Sequence, residues 1–307
     1  MKIAVLGASG QLGGEICRQW GDDAVPLDID KLDITQRTAV RRTLTDLRPR
    51  AVINCAAYTQ VDAAESDRGR CRTINALAVE HLADVCSQLD CPLVQISTDY
   101  VFGGYRQQPV PYREEEPPQP RGVYAQTKLE GERAAARHAK HLIVRTCGLY
   151  ARAGDKLARN FVKTILRLGG RGRPLKIVND QTCTPSFVPH VARAVLWLAG
   201  ANGNGPAPWG IYHVTNRGET TWYEFARAII RHSGIEASIE PITTAEYGTA
   251  APRPAYSVLD TTKYHATGGP EMPDWNDALA EFFAEASLSR RSNGSAKRGR
   301  SRSKGGA

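Results

Sequence analysis

A short apolar run over residues 2–6 ends at a glycine loop, Gly7-Ala8-Ser9-Gly10-Gln11-Leu12-Gly13, and a mixed helical pattern over 15–20 follows it. A strand that stops at glycine and reopens as a helix is the first half of a βαβ unit, which only a parallel sheet with helices on its faces accommodates. Glycines there let the backbone turn tightly and approach a pyrophosphate, whose charge is favoured by the orphan N–H groups at the start of the helix. No GK[ST] follows, so phosphoryl transfer loses its main support.

The alternation continues. Strands are expected over 24–28, 51–55, 93–97 and 141–145, and helices over 35–47, 75–89 and 125–139. A Rossmann-type, doubly wound α/β fold follows, with a nucleotide-binding domain over 1–150. Beyond it the pattern loosens. Helices over 160–168, 188–199, 221–232 and 275–286, with strands over 175–178 and 209–214, read as a smaller C-terminal α/β substrate lobe over 151–288, some of whose segments return to the sheet; 211–214 is one candidate. The stretch 241–256 is rich in Pro, Thr and Ala.

The chain has 307 residues, 41% of them hydrophobic, enough to bury a sizeable core and to exclude a disulfide-stapled miniature. Its formal charge of +8 suggests nucleic acid until the distribution is read. Seven of the 40 basic residues fall between Arg290 and Lys304 with no acid among them, so the preceding body carries 33 basic against 32 acidic side chains. The tail over 289–307 has no aromatic or β-branched residue with which to offset the entropy of ordering, so it is expected to be a solvated extension rather than a nucleic-acid arm. Seven cysteines, an odd number without CxxC spacing, read as small buried residues in a reducing compartment, and no metal site is expected from them. No window approaches a membrane span, and a cytoplasmic location is the expectation.

Roughly twenty residues past the loop lie Asp28, Asp30 and Asp33, where a carboxylate at the end of the second strand would accept hydrogen bonds from an adenosine ribose. Which of Asp28 and Asp30 takes the strand tip stays open. Asn54-Cys55-Ala56-Ala57 ends the third strand in small residues that permit close approach of a cofactor. The chemistry concentrates further on. Ser97-Thr98-Asp99 closes a strand, and Tyr124 and Lys128 stand one helical turn apart on the same face. A phenol of ordinary pKa about 10 is a poor acid or base at neutrality, and a neighbouring ammonium is expected to lower that value. Tyr124 would then protonate a carbonyl oxygen that Thr98 polarises, while Lys128 holds the nicotinamide ribose. Trp222, Tyr223 and Phe225 read as packing, the Glu114-Glu115-Glu116 run as a solvated loop over the entrance, and His138, His141, His190 and His213 as structural or exposed.

This set resembles the extended short-chain dehydrogenases/reductases, and within them the dTDP-4-dehydrorhamnose reductase family. The resemblance rests on GASGQLG at 7–13, LDITQ at 32–36, NCAAYTQVDAAES at 54–66, STDYVFGG at 97–104, YAQTKLEGE at 124–132, NDQTCTPS at 179–186, TTWYEFA at 220–226 and PRPAYSVLD at 252–260. It implies NADPH- or NADH-dependent reduction of the C4 ketone of a dTDP-6-deoxy-hexulose. It also implies roles for individual residues: Thr98, Tyr124 and Lys128 as the catalytic set; Gly7, Gly10, Gln11 and Leu12 at the pyrophosphate; Asp33 and Ile34 at the adenine; Ala56, Ala57, Tyr58 and Asn75 along the cofactor. Thr59, Val61 and Asp62 lead toward the sugar, Asp99 joins Thr98 and Tyr124 on the substrate side, and Arg253 clamps a diphosphate. Some family members are described as magnesium-assisted homodimers, and no residue pattern here speaks for either property. Two departures fall on the sugar side: RTSWVY of the family reads Arg145-Thr146-Cys147-Gly148-Leu149-Tyr150, and DQxGxPT carries Cys183 in place of its glycine. Rival readings are another nucleotide-sugar ketoreductase or epimerase of the superfamily, and a non-catalytic NAD(P)-binding regulatory subunit. Tyr100, where dehydratases of the superfamily carry a glutamate, weighs against dehydration.

Overall fold

The computed structural model describes residues 2–104, 108–151, 160–200, 203 and 205–285. The basic tail lies outside the described residues.

Six parallel strands make the central sheet: β1 (Ile3–Leu6), β2 (Ala24–Leu27), β3 (Val52–Asn54), β4 (Leu93–Thr98), β5 (His141–Thr146) and, far along the chain, Gly210–His213. The helices between them are α1 (Gln11–Trp20), α2 (Arg37–Leu47), α3 (Arg68–Arg72), α4 (Ala78–Gln88) and α5 (Val123–Ala135). A π-helical turn, Thr73–Leu77, joins α3 to α4. The remaining elements are β6 (Leu149–Tyr150), α6 (Phe161–Gly169), β7 (Leu175–Val178), β8 (Thr182–Cys183), β9 (Ser186–Phe187), α7 (Val188–Leu198), β10 (the Gly210–His213 strand), β11 (Thr220–Thr221), α8 (Trp222–Ser233), β12 (Ile239–Ile242), α9 (Thr244–Tyr247), α10 (Thr262–His265) and a closing helix over 275–285.

Strand order is β10-β5-β4-β3-β1-β2. Every residue of β1 and β3 is buried, as strands covered on both faces require. One face carries α1 and α7 over a core that includes Ile16, Val94, Val191 and Tyr212, and the other carries α2, α4 and α5 over Leu6, Leu44, Leu82 and Ile143. The chain crosses from β2 over β1 to reach β3, so the strand order reverses between β1 and β3, where Leu6 stands beside Asn54. Ligands of open parallel sheets bind outside the carboxyl ends of the strands at that switch point.

Past β5 the chain divides its allegiance. α7 and β10 sit in the sheet layers, whereas α6, α8 and the 275–285 helix gather around Tyr150, Phe187, Phe225 and Phe282 in a core of their own. Three two-stranded pairings brace this lobe: β7 parallel to β12, β8 antiparallel to β11, and β6 parallel to β9. Among the described residues no helix is long and apolar enough to cross a membrane, and all seven cysteines are free.

Candidate active site

A cleft of about 1140 Å³ runs along the carboxyl ends of β1, β3, β4 and β5. Single-ligand pockets span roughly 300–1,000 Å³, so this one has room for more than one ligand. The loop after β1 forms its floor. Gly7 has φ +68°, and a Cβ on it would lie 2.7 Å from the Ala56 nitrogen; one on Gly13 would lie 2.4 Å from the Gly7 carbonyl oxygen. Side chains at either place would push the turn off the end of β3. Gly10 caps α1 with no side chain bonded to the cap and no acid in the first turn, leaving the positive end of the helix open for an anion. Gly7, Gly10, Gln11 and Leu12 all line the cleft.

The strand-tip acid is Asp28, the first residue past β2. Its carboxylate accepts the Ser9 N–H at 2.7 Å, the Ser9 hydroxyl, and the Ile29 N–H at 2.7 Å. Burial pushes its pKa up, but these hydrogen bonds prevail and hold it below the usual carboxylate range. Asp30, expected at the cofactor, does not line the cleft. The N–H groups of Lys31 and Leu32 both return to the Asp28 carbonyl, and this tight turn leaves Asp30 exposed on its outside. Asp33 and Ile34 do line the cleft, and the hydroxyl and N–H of Thr35 hold the Asp33 carboxylate.

Ala56 and Ala57 line the cleft, while Tyr58 and Asn75 stand behind it. The Tyr58 ring packs with Ala64, Cys71 and Val123. Asn75, 2% exposed, accepts the Tyr58 N–H at 2.9 Å and donates to the Tyr58 carbonyl at 3.2 Å and the Thr127 hydroxyl at 3.3 Å. Both residues are thus corrected from cofactor contacts to supports: the Asn75 amide ties the loop after β3 to α5.

That helix carries the two residues expected to do the chemistry. Glu65 accepts the Val123 N–H at 2.8 Å and seats the start of α5. Tyr124 and Lys128 line the cleft opposite Thr98 and Asp99. Thr98 accepts the Tyr100 N–H at 3.2 Å and donates to Asp99 at 3.1 Å. Burial raises the pKa of Tyr124, and the hydroxyl of Thr98 draws it partly back. The expected lowering of that phenol by Lys128 is therefore not seen; burial prevails, and Tyr124 holds its proton more tightly than an ordinary phenol. Burial lowers the Lys128 ammonium to about 8, against the opposing pull of Glu132, and the ammonium donates to the Ile96 carbonyl at 2.6 Å. Burial also raises Asp99, with hydrogen bonds from Ser257, Cys147 and Thr98 working against it.

Beneath the site, Glu132 receives Arg145 through both oxygens, at 2.9 and 2.7 Å, and the Ser97 hydroxyl at 2.5 Å. Arg145 in turn donates to Nε2 of His213, whose pKa burial and that guanidinium hold down at about 3, so the ring is neutral. Glu114, expected in a solvated loop, instead accepts the His213 N–H at 3.0 Å. Nothing local in the sequence announces this network, because its members come from five separated segments.

Asp62 and Arg253 do not line the cleft. Arg253 spends its guanidinium on Asp62 and on the Ala251 carbonyl, both at 2.8 Å, and Asp62 also takes the Ala251 N–H at 3.1 Å. The pair straps two loops together. Sequence reasoning missed Arg70, an exposed guanidinium on the cleft wall, and Ile29, an apolar side chain left 73% exposed there. It also assigned Trp222 to packing alone, whereas the indole both packs in the second lobe and lines the cleft.

A family model described as the RmlD substrate binding domain matches residues 1–288. The chain belongs to the dTDP-4-dehydrorhamnose reductase family. It is 39% identical over 285 residues to the dTDP-4-dehydrorhamnose reductase of Streptomyces griseus, covering 91% of this chain and 92% of that one. It is 38% identical over 291 residues to a probable dTDP-4,6-dihydroxy-2-methyloxan-3-one 4-ketoreductase of Streptomyces antibioticus, covering 93% and 95%. Among solved structures, the dTDP-4-dehydrorhamnose reductase of Bacillus anthracis in complex with NADP superimposes with a TM-score of 0.85 at 36% identity, over 93% of this chain and 100% of that one. Members of this reductase family thus share the fold along nearly the whole described chain.

Proposed function

We propose that this family member reduces the C4 ketone of dTDP-4-dehydrorhamnose to give dTDP-L-rhamnose, using NADH or NADPH. The observation that carries the reading is the meeting of Thr98, Tyr124 and Lys128 in one cleft with the glycine loop after β1. The residues present fit a dinucleotide: a side-chain-free turn at the start of α1 for the diphosphate, the Asp28 carboxylate for the adenosine ribose, and Asp33 with Ile34 for the adenine. The bound cofactor supplies hydride to C4. Thr98 donates a hydrogen bond to the carbonyl oxygen and polarises it; Tyr124 gives that oxygen its proton as negative charge develops. Burial, which raises the phenol, keeps its proton in place until negative charge develops on the carbonyl oxygen. Lys128 contributes a positive charge to the same face of α5 and a donor for the cofactor ribose. The nucleotide-binding half of the work falls to residues 1–150 with α7 and β10, and the sugar half to the elements around Tyr150 and Phe225.

The test is the near-ultraviolet absorbance of the reduced nicotinamide on adding dTDP-4-dehydrorhamnose made in situ. Turnover is expected with the wild type. Tyr124→Phe should lose roughly 10²–10⁴-fold in kcat while binding the cofactor unchanged. Absence of turnover in a wild type that binds cofactor would overturn the assignment.

A further inference from the structure

The cleft is built almost wholly by the sheet. Among its described lining residues only Trp222 comes from beyond residue 150. It opens α8, where Thr221 fixes its backbone by accepting the Glu224 N–H at 3.2 Å and donating to Asn179 at 2.7 Å. Its ring is held from behind by Phe161, at 4.7 Å between centroids, and by Phe225 at 6.4 Å. The indole is thus a rigid plate carried by the second lobe and presented to the first.

The plate reaches as far as the turn after β5. Gly148 sits in that turn at φ +56°, and a Cβ built on it would come 3.3 Å from Cη2 of Trp222 and 3.0 Å from Cα of Pro185. Both the backbone conformation and the space therefore select against a side chain, and the turn yields its room to the indole. Cys147, Gly148 and Leu149 line the cleft beside Thr98 and Asp99, so the indole edge lies at the chemical end and not at the adenosine end, which Asp28, Ile29 and Asp33 mark. The polar groups at the chemical end, Thr98, Asp99, Tyr100 and Tyr124, all come from the sheet side. The wall facing them from the lobe is aromatic.

We infer that Trp222 is the platform on which the sugar ring lies, and that Gly148 is the space that lets it reach there. A 6-deoxyhexulose has an apolar edge, its methyl group and ring C–H bonds, suited to the indole, and a carbonyl and hydroxyl edge suited to the sheet side. The pair thereby sets both the orientation of the ketone toward Tyr124 and the preference for a deoxy sugar. This rests on the reading of the protein as a nucleotide-sugar ketoreductase.

The test compares inhibition constants of dTDP-L-rhamnose and of dTDP alone, measured in the presence of NADH by displacement of a fluorescent dTDP derivative, so that turnover is not required. The constant for dTDP divided by that for dTDP-L-rhamnose isolates the sugar. In Trp222→Ala that ratio should fall roughly tenfold with the constant for dTDP and the affinity for NADH unchanged. Trp222→Phe, which keeps an aromatic against Phe161 and Phe225, should fall between wild type and alanine, and Gly148→Ala should lower the ratio by crowding the indole. An unchanged ratio in both Trp222 variants overturns the inference while leaving the reductase assignment standing, and so does a loss confined to NADH affinity. A wild type that binds neither dTDP compound overturns the assignment and the inference together.

Discussion

Burial acts in opposite senses on Tyr124 and Lys128 of α5, raising the phenol and lowering the ammonium to about 8. Of the two, the lysine is the one that changes charge within the range where enzymes are assayed. Turnover is accordingly expected to fall as pH rises through about 8, and a pH profile of kcat should show this single alkaline limb. Glu132→Gln, which removes the carboxylate that holds the lysine up, should move the limb to lower pH. The same burial has a stability cost. Since the folded pKa lies below the ordinary 10.5, charged Lys128 disfavours folding in full below about pH 8, and the cost is relieved as pH climbs from there to 10.5. Relative to Lys128→Met, the wild type should gain about 3 kcal/mol across that window, read from denaturant titrations at both ends. A second residue-scale prediction concerns Asp28. Its carboxylate, held low by hydrogen bonds from Ser9 and Ile29, lies at the tip of β2, the place where sheets of this kind meet an adenosine ribose, and would oppose a 2′-phosphate there. Asp28→Asn should therefore raise the ratio of kcat/KM for NADPH over NADH by about tenfold or more, measured with the two cofactors side by side.

At the scale of elements the decisive fit is α5 against the π-helical turn Thr73–Leu77. A Cβ on Gly131 would lie 2.1 Å from the Asn75 carbonyl oxygen, so the glycine is what allows the helix to approach so closely. Gly131→Ala should cost roughly 1–3 kcal/mol in a melting or denaturant experiment, and because α5 carries Tyr124 and Lys128, kcat should fall more than the cofactor affinity. The alternation of buried strands with helices up to β5 was legible because each strand of a covered parallel sheet is a short apolar run closed by turn residues. The glycine loop, Thr98, Tyr124 and Lys128 were legible for a similar reason, as each is part of a local pattern. What escaped depends on distant partners. The two-residue strands β6, β8, β9 and β11 exist only through pairings across the chain, and the π-helical turn carries the periodicity of an ordinary helix. Motif position likewise could not tell which way a side chain points: the Tyr58 ring packs with Ala64, Cys71 and Val123, the Asn75 amide turns to the Tyr58 backbone, Arg253 is taken by Asp62, and the choice between Asp28 and Asp30 is made by one tight turn.

For the molecule as a whole, the question is how the loop proposed for the cofactor is coupled to the lobe proposed for the sugar. Among the described residues, a hydrogen bond joins them directly. Asn160 caps α6 by accepting the Lys163 N–H at 3.0 Å, and its amide donates to Gln11 at 2.9 Å, in the loop after β1. Asn160 is 8% exposed, so the bond is shielded from water and its geometry is constrained from both sides. Gln11 lines the cleft and sits at the first turn of α1, where a diphosphate would settle, while α6 packs against α8, the helix that carries Trp222. Ordering of Gln11 by the cofactor would therefore steady the indole before the sugar arrives, a coupling between two sites through one polar contact and one packed helix pair. In the wild type the affinity for dTDP-L-rhamnose should be higher with NADH present than without it, by a factor within the roughly 5–150-fold range of ordinary coupling energies. Asn160→Ser keeps a residue that can cap α6 but removes the reach to Gln11. Titration of dTDP-L-rhamnose by calorimetry, with and without NADH, should then show the two affinities converging in the variant while the affinity for NADH alone stays near that of the wild type. Equal coupling in both proteins would mean that the lobes communicate through the α1 and α7 contact instead, and that the bond from Asn160 serves only to seat α6.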